Sequence, residues 1–94
     1  MNAKKIRVHV LISGDVQGVF FRHHTRELAK QLGLTGWVRN TEDDKVEAIF
    51  EGDKDKIKKI LEFCKKGPTL ARVNNVKAEE EKFKGEFKDF EIIY

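Results

Sequence analysis

Ninety-four residues leave no room for a second independent core, since domains commonly run to about 100–150 residues. The chain is 39% hydrophobic and holds seven Phe, enough for one genuine core. Its 19 basic and 16 acidic residues nearly cancel to a net charge of +3, an excess too small to point to nucleic acid by itself.

In chain order, Ile6, Val8, Val10 and Ile12 alternate with Arg7, His9 and Ser13, the period of a half-buried strand. A segment with two glycines, Gly14 to Phe20, follows. Phe21, Thr25, Leu28, Ala29 and Leu32 then recur at helical spacing, with Gly33 placed to stop the helix. Thr35 to Asn40 form a short strand. After an acidic turn, Val46, Ala48 and Phe50 alternate with Glu47, Ile49 and Glu51 as a third strand. Asp53 stands at the N-cap of a second helix whose buried face is Ile57, Ile60, Leu61 and Cys64, and Gly67-Pro68 ends it. Val73 to about Glu81 reads as a strand without clean alternation, and Phe90, Ile92 and Tyr94 close the chain as a last one. The order β-α-β-β-α-β predicts an α+β, ferredoxin-like sandwich: an antiparallel sheet with both helices on one face. That superfold hosts unrelated functions, so the site has to decide.

Cys64 is the only cysteine, and no apolar run approaches the roughly 18 residues of a membrane span. Met1-Asn2-Ala3-Lys4-Lys5 lacks the features of a secretory signal. The expectation is a single domain over residues 1–94, cytoplasmic and monomeric, with no membrane or nucleic-acid partner.

Gly14 to Phe20 join a strand to a helix, a junction that exposes backbone N–H groups to an anion. Glycines also sit in such turns only because the backbone needs a positive φ. The first helical turn carries Arg22, His23 and His24, with no acid before Glu27. A cation there opposes the helix dipole, where Asp or Glu would gain about 0.3–1 kcal/mol each. A guanidinium fork facing backbone donors makes sense with a phosphate or carboxylate between them; an exposed surface Arg is the alternative. His23 and His24 are helix neighbours whose side chains diverge by about 100°, so they cannot share a metal. Cys64, on an apolar helix face, reads as a buried structural thiol.

Gly14-Asp15-Val16-Gln17-Gly18-Val19-Phe20-Phe21-Arg22 resembles the first acylphosphatase signature, G-x-V-Q-G-V-x-F-R, at every specified position. Gly36-Trp37-Val38-Arg39-Asn40 resembles the second, and Gly67-Pro68, Ala71, Val73 and Phe90 to Tyr94 extend the likeness over nearly the whole chain. The resemblance implies a cofactor-free, metal-free hydrolase that cleaves the carboxyl-phosphate bond of acyl phosphates, with inorganic phosphate as product and competing ligand. It implies that Arg22 binds the phosphate with backbone N–H groups of Asp15, Val16, Gln17, Gly18, Val19 and Phe20. It further implies that the Asn40 amide holds the attacking water. One departure is visible: the family usually has Gly where this chain reads Asp43-Asp44-Lys45, so that turn either takes a left-handed Asp or is built differently.

Two rivals use the same element order. An RNA-binding module would show stacking aromatics on its central strands, whereas Glu47 and Glu51 place acids on one face of the third strand and would repel a phosphate backbone. A non-catalytic anion-binding domain within a larger protein is disfavoured by the short chain and by the presence of Arg22 and Asn40.

Overall fold

The computed structural model describes residues 4–94; the reading of the chain's start falls partly on residues 1–3 and lies outside the described residues. The elements are β1 (Lys5–Asp15), α1 (Phe21–Gln31), β2 (Thr35–Asn40), β3 (Val46–Asp53), α2 (Lys54–Lys66), β4 (Arg72–Glu81) and β5 (Phe90–Ile92). One sheet holds the strands in the order β4-β1-β3-β2-β5, the ferredoxin-like arrangement expected.

The apolar alternation works as expected. Ile6, Val8, Val10 and Ile12 of β1 share one buried cluster with Val46, Ala48 and Phe50 of β3, and with Ala29, Ile57, Ile60 and Cys64 of the helices. Phe50 stacks on Phe90 with centroids 5.3 Å apart, and Phe21 meets Phe63 at 5.7 Å. Burial pushes the Cys64 thiol up to about 12, as befits a structural cysteine. Helix α1 closes as its sequence suggests: Gly33 N–H donates to Lys30 O and Leu34 N–H to Ala29 O, the paired bonds of a Schellman ending. Asp53 does precede α2, but its side chain makes no capping bond.

Two features depart from the expectation: the sheet is mixed rather than antiparallel, because a fifth strand follows β-α-β-β-α-β, and one acid of the open face is buried. The sheet is antiparallel across β4, β1, β3 and β2, while β5 runs parallel to β2, with Gly36 opposite Phe90 and Val38 opposite Ile92. β4 and β5 occupy opposite edges, so residues 82–89 must cross the sheet end. Four strand spacings amount to about 19 Å, within the roughly 26–29 Å that eight extended residues can span.

That crossing strap changes the fate of Glu51, which the alternation assigns to an open face. Glu51 is fully buried. Its Oε2 accepts the Lys84 N–H at 2.8 Å and lies 3.5 Å from the Arg7 guanidinium, which also pairs with Glu81 and Glu86. Burial works against the charge on Arg7, but Glu86 and Glu51 outweigh it and hold its pKa above the ordinary value. Glu47 is half-shielded on the same face, where Arg39 Nε donates to it at 2.7 Å and His9 Nε2 lies 2.6 Å from its other oxygen. Burial again opposes ionisation, yet these two partners keep the Glu47 carboxyl below its ordinary pKa. Glu47 and Glu51 are therefore held among local cations and donors rather than displayed.

Candidate active site

The site begins where β1 stops being regular. Its register against β4 shifts between Ser13 and Gly14, and a Cβ at Gly14 would stand 2.1 Å from Arg72 O. No other residue fits that approach. Asp15 still belongs to the strand, opposite Arg72, and is exposed. The loop proper therefore starts at Val16, two residues later than the Gly14 to Phe20 connection expected from the sequence.

Within it, Val16 is buried and Val19 packs partly against the core. Gln17 Nε2 donates to Thr41 O and Lys45 O, each at 2.9 Å, tying the loop to the turn between β2 and β3. Gly18 takes a φ of 74° and Phe20 a φ of 62°. At Gly18 only backbone is available to line the cavity.

Phe20 is the N-cap of α1 and offers no side-chain cap, and the first turn contains no acid. The earliest bond of the helix runs from His24 N–H to Phe20 O, so the amides of Phe21, Arg22 and His23 precede the intrahelical ladder and stand as donors for a ligand. The Thr25 hydroxyl donates to Phe21 O at 2.8 Å and stiffens this turn from inside.

A cavity of about 220 Å³ opens here, enough for about seven water volumes at ~30 Å³ each. Val16, Gly18 and Phe20 line it together with Ile92 and Tyr94, and Arg22, His23 and Asn40 supply polar groups. The Arg22 guanidinium carbon lies 5.4 Å from the centre of the Tyr94 ring, a contact that holds the fork without neutralising it. Among the described residues Arg22 is in no ion pair.

Asn40 is the last residue of β2. The two-residue period of the strand puts it on the helix side with buried Val38, and its partner across the ladder is Val46. Its Oδ1 is buried and has no hydrogen-bond partner. Buried carbonyl oxygens rarely stay unpaired, and an exception needs an explanation. Asn40 itself lines the cavity. Beyond Asn40, the departing turn takes the left-handed solution: Asp44 has a φ of 67°. Thr41 Oγ1 accepts from Lys45 N–H and donates to Asp43, which lowers the Asp43 pKa.

The structure thus brings Arg22, Asn40, Val16, Gly18 and Phe20 around one cavity, and leaves Asp15, Gln17 and Val19 outside its lining. Three contributors escaped the sequence reading. His23 lines the cavity although His24 does not; Ile92 and Tyr94 arrive through the parallel β5, whose placement no local periodicity reveals. The side-chain role of Gln17 had a faint signal, a long amide inside a glycine loop. Among the described residues no group of three or more His, Cys, Asp or Glu could hold a metal, and no helix is long and apolar enough to cross a membrane.

The acylphosphatase family model matches residues 8–92. The chain belongs to the acylphosphatase family. It is 53% identical over 90 residues to an acylphosphatase of Syntrophobacter fumaroxidans, covering 96% of this chain and 93% of that one. Its fold superposes on an acylphosphatase structure from Coxiella burnetii with a TM-score of 0.89 at 40% identity, covering 95% and 93% of the two chains. A Bacillus subtilis acylphosphatase structure gives 0.91 at 29% identity, covering 95% and 99%. In this member of the acylphosphatase family the two signature segments meet at the cavity, one as loop and helix N-terminus, the other as the end of β2.

Proposed function

We propose that this cavity hydrolyses the carboxyl-phosphate bond of acyl phosphates, with Arg22 and the loop gripping the phosphate and Asn40 holding the water. The unpartnered Oδ1 of Asn40 carries the reading. A carbonyl oxygen accepts but does not donate, so a water bonded there gives it one O–H and keeps a lone pair free to attack. The phosphate faces the α1 amides and the guanidinium of Arg22. That pairing accounts for a cation placed against the helix dipole, since a bound dianion attracts both.

The chemistry needs little more. Water oxygen forms a bond to phosphorus while the bond from phosphorus to the acyl oxygen breaks, and the carboxylate leaves with the electron pair. That anion is stable without protonation, so no strong general acid is required. Asn40 cannot act as a base at neutral pH, and the water's proton passes to a phosphate oxygen of the substrate. Catalysis rests on in-line placement and on donors fixed around the phosphoryl oxygens. No step calls for a metal or a cofactor, and His23 and Cys64 have no part in it.

The test is steady-state hydrolysis of acetyl and benzoyl phosphate with EDTA present. Turnover should be unaffected by the chelator, and inorganic phosphate should inhibit competitively. Loss of turnover on chelation, restored by a divalent ion, would overturn the metal-free mechanism; inhibition that is not competitive would remove the phosphate from the proposed cradle.

A further inference from the structure

Resting on that reading of the site, we infer that Phe20 is the acyl-group platform and selects apolar, above all aryl, acyl phosphates. Three observations converge on this residue. Phe20 is 70% exposed, one of four large hydrophobic residues left open to solvent among the described residues. It holds a φ of 62°, a left-handed geometry that a bulky residue adopts at a cost of about 1–2 kcal/mol. Strain of that kind concentrates at ligand-binding segments, where it forms part of the function. An aromatic ring with no core to fill gains nothing there from folding.

Its position gives the ring a use. Phe20 lines the same cavity as Ile92 and Tyr94, with Tyr94 almost fully exposed as well. Arg22 and Asn40, the groups assigned to phosphate and water, share the cavity lining with these apolar side chains. A phosphate held by the α1 amides directs its acyl group away from them, and Phe20, the residue that caps those amides, is the exposed aromatic side chain beside them in the cavity lining. With Arg22 engaged by the phosphate and set against the Tyr94 ring, a ring or hydrocarbon chain finds its open aromatic face at Phe20.

The experiment compares kcat/KM for benzoyl and acetyl phosphate in the native enzyme, Phe20→Asn and Phe20→Tyr. Asn tolerates left-handed geometry, so that variant removes the ring without adding backbone strain. Taking the ratio of substrates within each protein, then between proteins, cancels the different intrinsic reactivities. The benzoyl-to-acetyl ratio should fall roughly 3- to 10-fold in Phe20→Asn, the scale of one aromatic contact, mostly through a higher KM for benzoyl phosphate. Phe20→Tyr should keep the native ratio. An unchanged ratio in Phe20→Asn, or an equal fall in Phe20→Tyr, would overturn the inference while the hydrolytic reading stands. Native enzyme that turns over neither compound would overturn the hydrolytic reading itself.

Discussion

At the scale of single residues, Arg22 is held by geometry rather than by charge. Its guanidinium carries no ion pair among the described residues and leans on the Tyr94 ring. An unneutralised fork beside the free amides of α1 is suited to bidentate contact with two phosphate oxygens, which a lysine ammonium cannot reproduce. Arg22→Lys should therefore reduce kcat/KM for acyl phosphates by on the order of 10²-fold and weaken inhibition by inorganic phosphate. Turnover of benzoyl phosphate close to native by that variant would show that the fork is not needed. Arg22 stands out in the sequence because a cation breaks the usual rule for a first helical turn. Asn40 does not. Nothing in composition or spacing separates it from any other strand-ending Asn, and it entered only through the motif; its orphaned Oδ1 becomes visible only in the folded chain.

At the scale of elements, the loop and the β2–β3 turn form one unit. Gln17 joins them through two bonds of 2.9 Å to the carbonyls of Thr41 and Lys45. Those carbonyls flank the turn that follows Asn40, so the same amide ties the loop to the end of β2. Gln17→Leu should remove both bonds and destabilise the protein by about 1–3 kcal/mol, a fall of several degrees in Tm for a chain of this size. Phosphate affinity should weaken in parallel because the loop loses its tether. Native Tm with native phosphate inhibition would show that the tether does nothing. The strands and helices around this unit were legible from periodicity: β1 and β3 alternate, and α1 and α2 each present one apolar face. The ends were less so. β1 extends through Gly14 and Asp15 because β4 pairs beyond the bulge, a long-range fact. The Asp43-Asp44-Lys45 turn had two solutions on paper, and Thr41 selects the left-handed one by bonding across it.

At the scale of the whole molecule, the path of residues 82–89 is what the sequence could not show. Lys82 to Asp89 show no strand or helix period, yet they cross the sheet end, bury Glu51 through the Lys84 amide and deliver β5 to the far edge. Only that delivery puts Ile92 and Tyr94 into the cavity wall. The fold class followed from local pattern because every apolar face agreed with its neighbours. Edge order, the parallel pairing and the burial of Glu51 depend on contacts between residues far apart in sequence, such as Arg7 with Glu81 and Glu86.

The division of labour between Arg22 and Asn40 is the central claim, and Asn40→Ala tests it most directly. One preparation supplies both kcat for benzoyl phosphate and the inhibition constant of inorganic phosphate. If Asn40 holds only the water, kcat should fall by on the order of 10²–10³ while the phosphate constant stays within about twofold, a change of ~0.4 kcal/mol. Equal losses in both would mean that Asn40 binds the phosphate instead, and a native kcat would mean that the water is held elsewhere.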